Sequence, residues 1–109
     1  MKIIAGPCQH ESREISLEIA TECKRVCDEL GVEYYFKASY DKANRSHFVS
    51  NRGLGFDTTM RDFVWLKTQV GNDLKIITDV HTVEDMSKPI IGILDAVQIP
   101  AMLSRQTDL

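Results

Sequence analysis

No run of about 18 apolar residues occurs in the chain, so nothing in it predicts a membrane-spanning helix and no membrane partner is expected. An excess of basic residues is also lacking. Thirteen Lys+Arg stand against 16 Asp+Glu, a formal net charge of −3. That balance argues against a bulk polyanion binder, and nucleic acid is not an expected partner. Cysteine is scarce, with three in all. Lys2 is followed by only a short apolar stretch that breaks at Gly6-Pro7, which is not a secretory pattern. These two features predict a cytoplasmic protein with free thiols rather than a disulfide framework. Repeats, low-complexity segments and interdomain linkers are absent as well. What is present is 43% apolar and 27% charged, the mix of a soluble globular domain.

The hydrophobic pattern alternates between two periods. Lys2 to Gly6 predicts a buried strand that Gly6-Pro7 stops. Ser12 is placed as a helix N-cap, with Glu14 in the first turn. Ile15, Ile19, Cys23, Val26, Cys27 and Leu30 then form an apolar stripe that Gly31 terminates. Val32 to Ala38 predicts a second strand, rich in β-branched and aromatic residues. The polar stretch from Ser39 to Gly55 is too long for an ordinary connection, which marks it as functional. Phe56 to Val70 carries Met60, Phe63, Val64, Leu66 and Val70 on a helical face. Leu74 to Val80 predicts strand three, Val83 to Leu94 a poorer helix containing Pro89, and Ala96 to Ile99 strand four.

The predicted order β-α-β-α-β-α-β, with long crossovers, belongs to the α/β class, either an open sheet or a barrel. Polar residues sit at or near the C-terminal end of every predicted strand: Cys8, Lys37, Ser39, Asp79, His81 and Gln98. In a barrel these ends converge on one mouth, whereas an open sheet equips only the strands flanking its switch point. Four equipped strands favour the barrel.

Charge is unevenly spread. From Tyr34 to Gly55 the chain holds Lys37, Lys42, Arg45 and Arg52 against Asp41, a local charge of +3 that leaves −6 on the remainder. A focused cationic segment on an acidic body suits a small phosphorylated substrate, and it equally describes a solvated basic loop. Cys23 and Cys27 lie on the helical stripe as core filler. Cys8 lies at the predicted mouth, where a thiolate can bind a metal or act as a nucleophile. Neither His10 nor His81 makes a recognised zinc spacing with it.

Several segments together resemble one family. They are Ile4-Ala5-Gly6-Pro7-Cys8, Glu11-Ser12, and Phe36-Lys37-Ala38-Ser39-Tyr40-Asp41-Lys42-Ala43-Asn44-Arg45-Ser46. Ser50, Arg52-Gly53, Gly55, Thr78-Asp79-Val80-His81, Gln98-Ile99-Pro100-Ala101 and Arg105-Gln106-Thr107-Asp108-Leu109 continue the likeness. The chain resembles the 3-deoxy-D-manno-octulosonate 8-phosphate synthases, also named 2-dehydro-3-deoxyphosphooctonate aldolases. The related 3-deoxy-D-arabino-heptulosonate 7-phosphate synthases share the Gly-Pro-Cys start but carry a different sugar-binding loop. The resemblance implies a (β/α)8 barrel transferase that condenses phosphoenolpyruvate with D-arabinose 5-phosphate and releases phosphate, a step towards lipopolysaccharide. It implies that Lys37, Ser39, Lys42, Gln98 and Ala101 line the phosphoenolpyruvate site. It further implies that Asn44, Arg45 and Ser46 hold the sugar phosphate, with Arg45 on the phosphate itself. Lys37, Asp79 and His81 become the catalytic candidates, and Arg105 a contributor at a subunit boundary of a homo-oligomer. Cys8 matches the ligand of the metal-dependent branch, which implies a divalent metal such as Zn, Fe or Mn.

There are departures from the pattern. Gln9-His10 replaces the usual apolar pair, His47 stands where a second Ser is usual, Val49 replaces a frequent His, and Ser104 stands where Cys or Ala is usual. Barrels run to roughly 250 residues, so residues 1–109 are expected to form a single partial barrel domain, its first four β/α units, inactive alone. A phosphate-binding or assembly module without catalysis is the alternative. Within the enzymes, the heptulosonate synthase is the alternative that Asn44-Arg45-Ser46 disfavours.

Overall fold

The computed structural model describes residues 1–40 and 55–99. Its elements run β1 (Lys2–Gln9), α1 (Arg13–Leu30), β2 (Glu33–Ser39), α2 (Phe56–Val70), β3 (Lys75–Asp79), α3 (Val83–Ser87), a 3₁₀ turn (Pro89–Ile93) and β4 (Ala96–Gln98). The strands form one sheet in the order β1-β2-β3-β4, and every neighbouring pair is parallel. This is the expected α/β fold. Right-handed crossovers between successive neighbours carry the helices to one face of a sheet, and α1 packs on both α2 and the β1-β2 pair. Sequential order without reversal is consistent with the N-terminal part of a barrel, whereas a doubly wound sheet reverses its order at a switch point.

Ser12 caps α1 as expected, its Oγ accepting from the Ile15 N–H at 3.2 Å. Gly31 ends the helix at φ 70° and donates to the Asp28 carbonyl, while Val32 N–H reaches the Cys27 carbonyl at 3.0 Å. The buried stripe differs from the expected one. Ser16, Ala20 and Cys27 are buried, with Cys23 and Ile19 partly so, while Ile15, Val26 and Leu30 are exposed. Spacings of three and four fix a stripe only to about one residue in rotation, and the buried serine hid its true centre.

β1 also departs from expectation, because Gly6-Pro7 does not stop it. Pro7 is tolerated because β1 lies at the sheet edge, where a missing donor need not break a ladder. Register slips between Ala5 and Cys8. At the slip Gly6 lies against the backbone of Lys37, so close that an added Cβ would fall 1.8 Å from the Lys37 carbonyl oxygen. Cys8 follows with φ 66°, the only non-glycine positive φ among the described residues.

The poorer helix expected from Val83 to Leu94 is broken. Lys88 is extended, as a residue before proline prefers, and a 3₁₀ turn replaces the second half. No helix among the described residues is long and apolar enough to cross a membrane. The core lies between helices and sheet. Phe36 from β2 meets Phe63 from α2 edge-on at 5.9 Å, with Met60, Leu66, Leu74 and Ile76 fully buried around them. Each such side chain contributes roughly 1.5–3 kcal/mol by burial. Asp95, just before β4, accepts from the Ile76 N–H at 2.8 Å and meets Lys67 of α2 at 3.0 Å, which ties the last strand to the sheet.

Candidate active site

Alternation along β2 sends Tyr34, Phe36 and Ala38 into the core and leaves Lys37 and Ser39 on the opposite face. β3 repeats the arrangement, burying Ile76 and Thr78 and turning Asp79 to the same side as Ser39. The C-terminal ends of the strands line up. Gln9 pairs in register with Ser39, and Asp79 with Gln98, while the Ser39 hydroxyl donates to Asp79 Oδ1 in a short bond. One polar row therefore crosses all four strands at the end where an α/β sheet carries its sites.

His81 lies just beyond β3. Its Nε2 stands 3.1 Å from Asp79 Oδ2, and neither ring nitrogen makes an aligned hydrogen bond, although the side chain is only 10% exposed. Burial pushes the Asp79 carboxyl up, but the His81 ring and the Ser39 hydroxyl outweigh it, holding the pKa below the ordinary carboxylate value. Asp79 is therefore an anion near neutral pH and serves as an acceptor and orienter. The His81 ring is left as the group with nitrogen capacity to spare.

One step down the strands, Cys8 and Lys37 line an open depression of about 270 Å³ with Ile4, Ala5 and Gly6. Cys8 is exposed. Among the described residues no group of three or more His, Cys, Asp or Glu side chains could hold a metal ion. They thus offer one thiol where a divalent metal needs several donors, and do not by themselves fit the metal that the resemblance implies. Of the other expected site residues, Gln98 is exposed on β4 beside Asp79. Lys42, Asn44, Arg45, Ser46, Ala101 and Arg105 lie outside the described residues.

A second polar cluster went unassigned in the sequence. His10 is fully buried, its Nδ1 2.7 Å from Ser16 Oγ and its Nε2 2.7 Å from Asp62 Oδ2. Arg13 donates to Asp62 Oδ1 from Nε at 3.1 Å and from Nη2 at 2.9 Å, and its guanidinium lies over Trp65. The order Ser-His-Asp mimics a nucleophilic triad, but Ser16 is 0% exposed on the inner face of α1, where no substrate reaches it. The cluster is a strut between β1, α1 and α2. Its sequence signal was Asp62 on the apolar face of α2, beside Phe63.

The model of the DAHP synthetase I family matches residues 1–109. The chain belongs to that family. It is 48% identical over 106 residues to the 2-dehydro-3-deoxyphosphooctonate aldolase of Dechloromonas aromatica, an alignment covering 97% of this chain and 37% of the relative. The enzyme of that name from Fusobacterium nucleatum is 47% identical over 107 residues, covering 98% and 37%. That of Bartonella bacilliformis is 42% identical over 109 residues, covering 100% and 38%. The resemblance read from the motifs is thus shown. This member of the DAHP synthetase I family spans less than two fifths of the length of these curated relatives.

Proposed function

We propose that the chain supplies the phosphoenolpyruvate-facing part of a site that makes 3-deoxy-D-manno-octulosonate 8-phosphate. The reaction joins C3 of phosphoenolpyruvate to the aldehyde carbon of D-arabinose 5-phosphate, adds water at C2 and releases inorganic phosphate. The observation that carries this reading is the polar row Ser39–Asp79–Gln98 with Lys37 one step below it, in a chain whose relatives bear the octonate name.

Each group has a role its chemistry permits. Lys37 supplies a fixed positive charge to the carboxylate or phosphate of phosphoenolpyruvate. Asp79 holds Ser39 and His81 in place, and His81 moves a proton at a ring nitrogen. Lys42 and Ala101 extend the same subsite. Asn44, Arg45 and Ser46 take the sugar phosphate, with Arg45 gripping its oxygens bidentately. Arg105 acts at a boundary between copies of the chain. We place the reaction in the cytoplasm, where three thiols stay reduced. Turnover on this reading needs the strands that complete such a site.

Ligand titration tests it. Phosphoenolpyruvate and arabinose 5-phosphate should each bind in a salt-sensitive way. Lys37→Ala should weaken phosphoenolpyruvate about tenfold, the loss of one charge-assisted contact, and Arg45→Ala should act mainly on the sugar. Equal losses of both ligands in both variants would overturn the division of roles.

A further inference from the structure

We propose that Tyr40 is a positioning residue for the Asp79–His81 pair, holding His81 by its backbone and its ring from the far side. The proposal rests on the functional reading above for its consequence, but not for its test. Tyr40 follows β2 directly and is 3% exposed. Its hydroxyl accepts from the His81 backbone N–H at 2.9 Å and donates to Asp85 Oδ2 at 2.8 Å. Its ring meets the His81 imidazole edge-on at 5.1 Å and Phe56 of α2 at 5.1 Å. One side chain therefore fixes His81 in two ways, and through Asp85 it ties that fixation to the first turn of α3.

The chain of contacts extends to both ends. Lys88 stands 3.2 Å from Asp85 Oδ1 and 3.7 Å from Asp57 of α2. At the other end, His81 Nε2 faces Asp79, which holds Ser39. Burial keeps the Tyr40 phenol protonated, and Asp85 reinforces this, so the hydroxyl can donate to the carboxylate while accepting from the amide. A phenylalanine would fill the same space and keep both ring contacts. What it would lose is the hydroxyl that pins the His81 backbone.

The consequence is directional. Among the described residues, the His81 ring, the Ser39 hydroxyl and the Asp79 backbone N–H hold the Asp79 carboxyl down, and the Tyr40 phenol lies near enough to feel its charge. Release of the His81 backbone lets the imidazole leave Asp79, and the carboxyl then moves up towards its ordinary value.

The test reads the 109-residue chain without substrate, by carboxyl NMR titration of Asp79 (assigned through Asp79→Asn) and by hydrogen exchange of the His81 amide. Tyr40→Phe should raise the Asp79 midpoint by about half a pH unit or more and speed His81 exchange about tenfold. Thr78→Val is the control. It removes a buried hydrogen bond to the Ala38 carbonyl between the same two strands, away from His81, and should leave the Asp79 midpoint unchanged. Should Tyr40→Phe fail to fold, Asp85→Ala frees the hydroxyl without touching the ring, and should give a smaller change of the same sign. An unmoved Asp79 midpoint, or equal movement in Thr78→Val, would overturn the proposal. Neither reading involves phosphoenolpyruvate or arabinose 5-phosphate, so failure here and failure of the ligand titration are separate results.

Discussion

A carboxylate can accept but not donate, so with Asp62 ionised His10 must carry a hydrogen on Nε2, 2.7 Å from Asp62 Oδ2. Burial pushes the Asp62 carboxyl up, and the contacts from His10 and Arg13 bring it below the ordinary value. A folded pKa below the unfolded one adds stability that is present above the unfolded value and lost as pH falls through the folded one. Asp62 should therefore stabilise the fold at neutral pH, begin to lose that contribution below about pH 4, and lose the rest as pH falls through its lower folded pKa. Asp62→Asn should lose roughly 3 kcal/mol near neutrality, the scale for breaking a buried pair, and its deficit should shrink in acid. Urea melts at the two pH values measure this, and a deficit constant with pH would overturn it. Sequence reading could place Ser39 and Asp79 at strand ends, with His81 just beyond, because alternation along strands is local. It left His10 unassigned because its partner lies 52 positions away, a pairing no short-range pattern encodes.

At the scale of elements, two glycines separate steric from conformational demand. Gly31 ends α1 at φ 70°, and a Cβ there would meet nothing within 4 Å. Gly31→Ala should thus lose only the left-handed penalty, about 1 kcal/mol. At Gly6 an added Cβ would collide with the Lys37 carbonyl, and that contact sits at the register slip which presents Cys8. Backbone cannot yield there without unpairing β1 from β2, so Gly6→Ala should lose several times more than Gly31→Ala and widen the Cys8–Lys37 depression. Thermal melts of the two variants, with thiol reactivity of Cys8, decide this; equal losses would remove the steric account. The same slip explains why Gly6-Pro7 misled the strand assignment. Both residues are turn formers by local propensity, and only the edge position of β1 turns them into a bulge. Pro89 shows the reverse case: the proline was visible, yet a continuous apolar pattern masked the break it imposes.

For the molecule as a whole, the helices cover one face of the sheet, and the described residues leave the outer edges of β1 and β4 unpaired. Met1, Ile3 and Ile4 stand exposed along β1, and Val97 and Ile99 at β4. Parallel sheets are found with both faces covered, and an unpaired edge bearing apolar side chains is a template for another strand. The 109-residue chain on its own should therefore self-associate, with a mean mass in sedimentation equilibrium that rises with concentration. Ile4→Glu is the informative variant. Ile4 pairs in register with Tyr35, over whose ring Lys2 and Lys75 stand at 5.7 and 5.4 Å. Both lysines pair with Glu33, and Ile4 is 55% exposed, so a carboxylate placed there stays hydrated in the monomer and loses that hydration in an apolar interface; the fold tolerates it while the interface does not. Monomeric mass for Ile4→Glu beside an associating parent would place the contact on the β1 edge. An associating variant would move it to β4, and a parent that stays monomeric at every concentration would show that the exposed edges do not drive association.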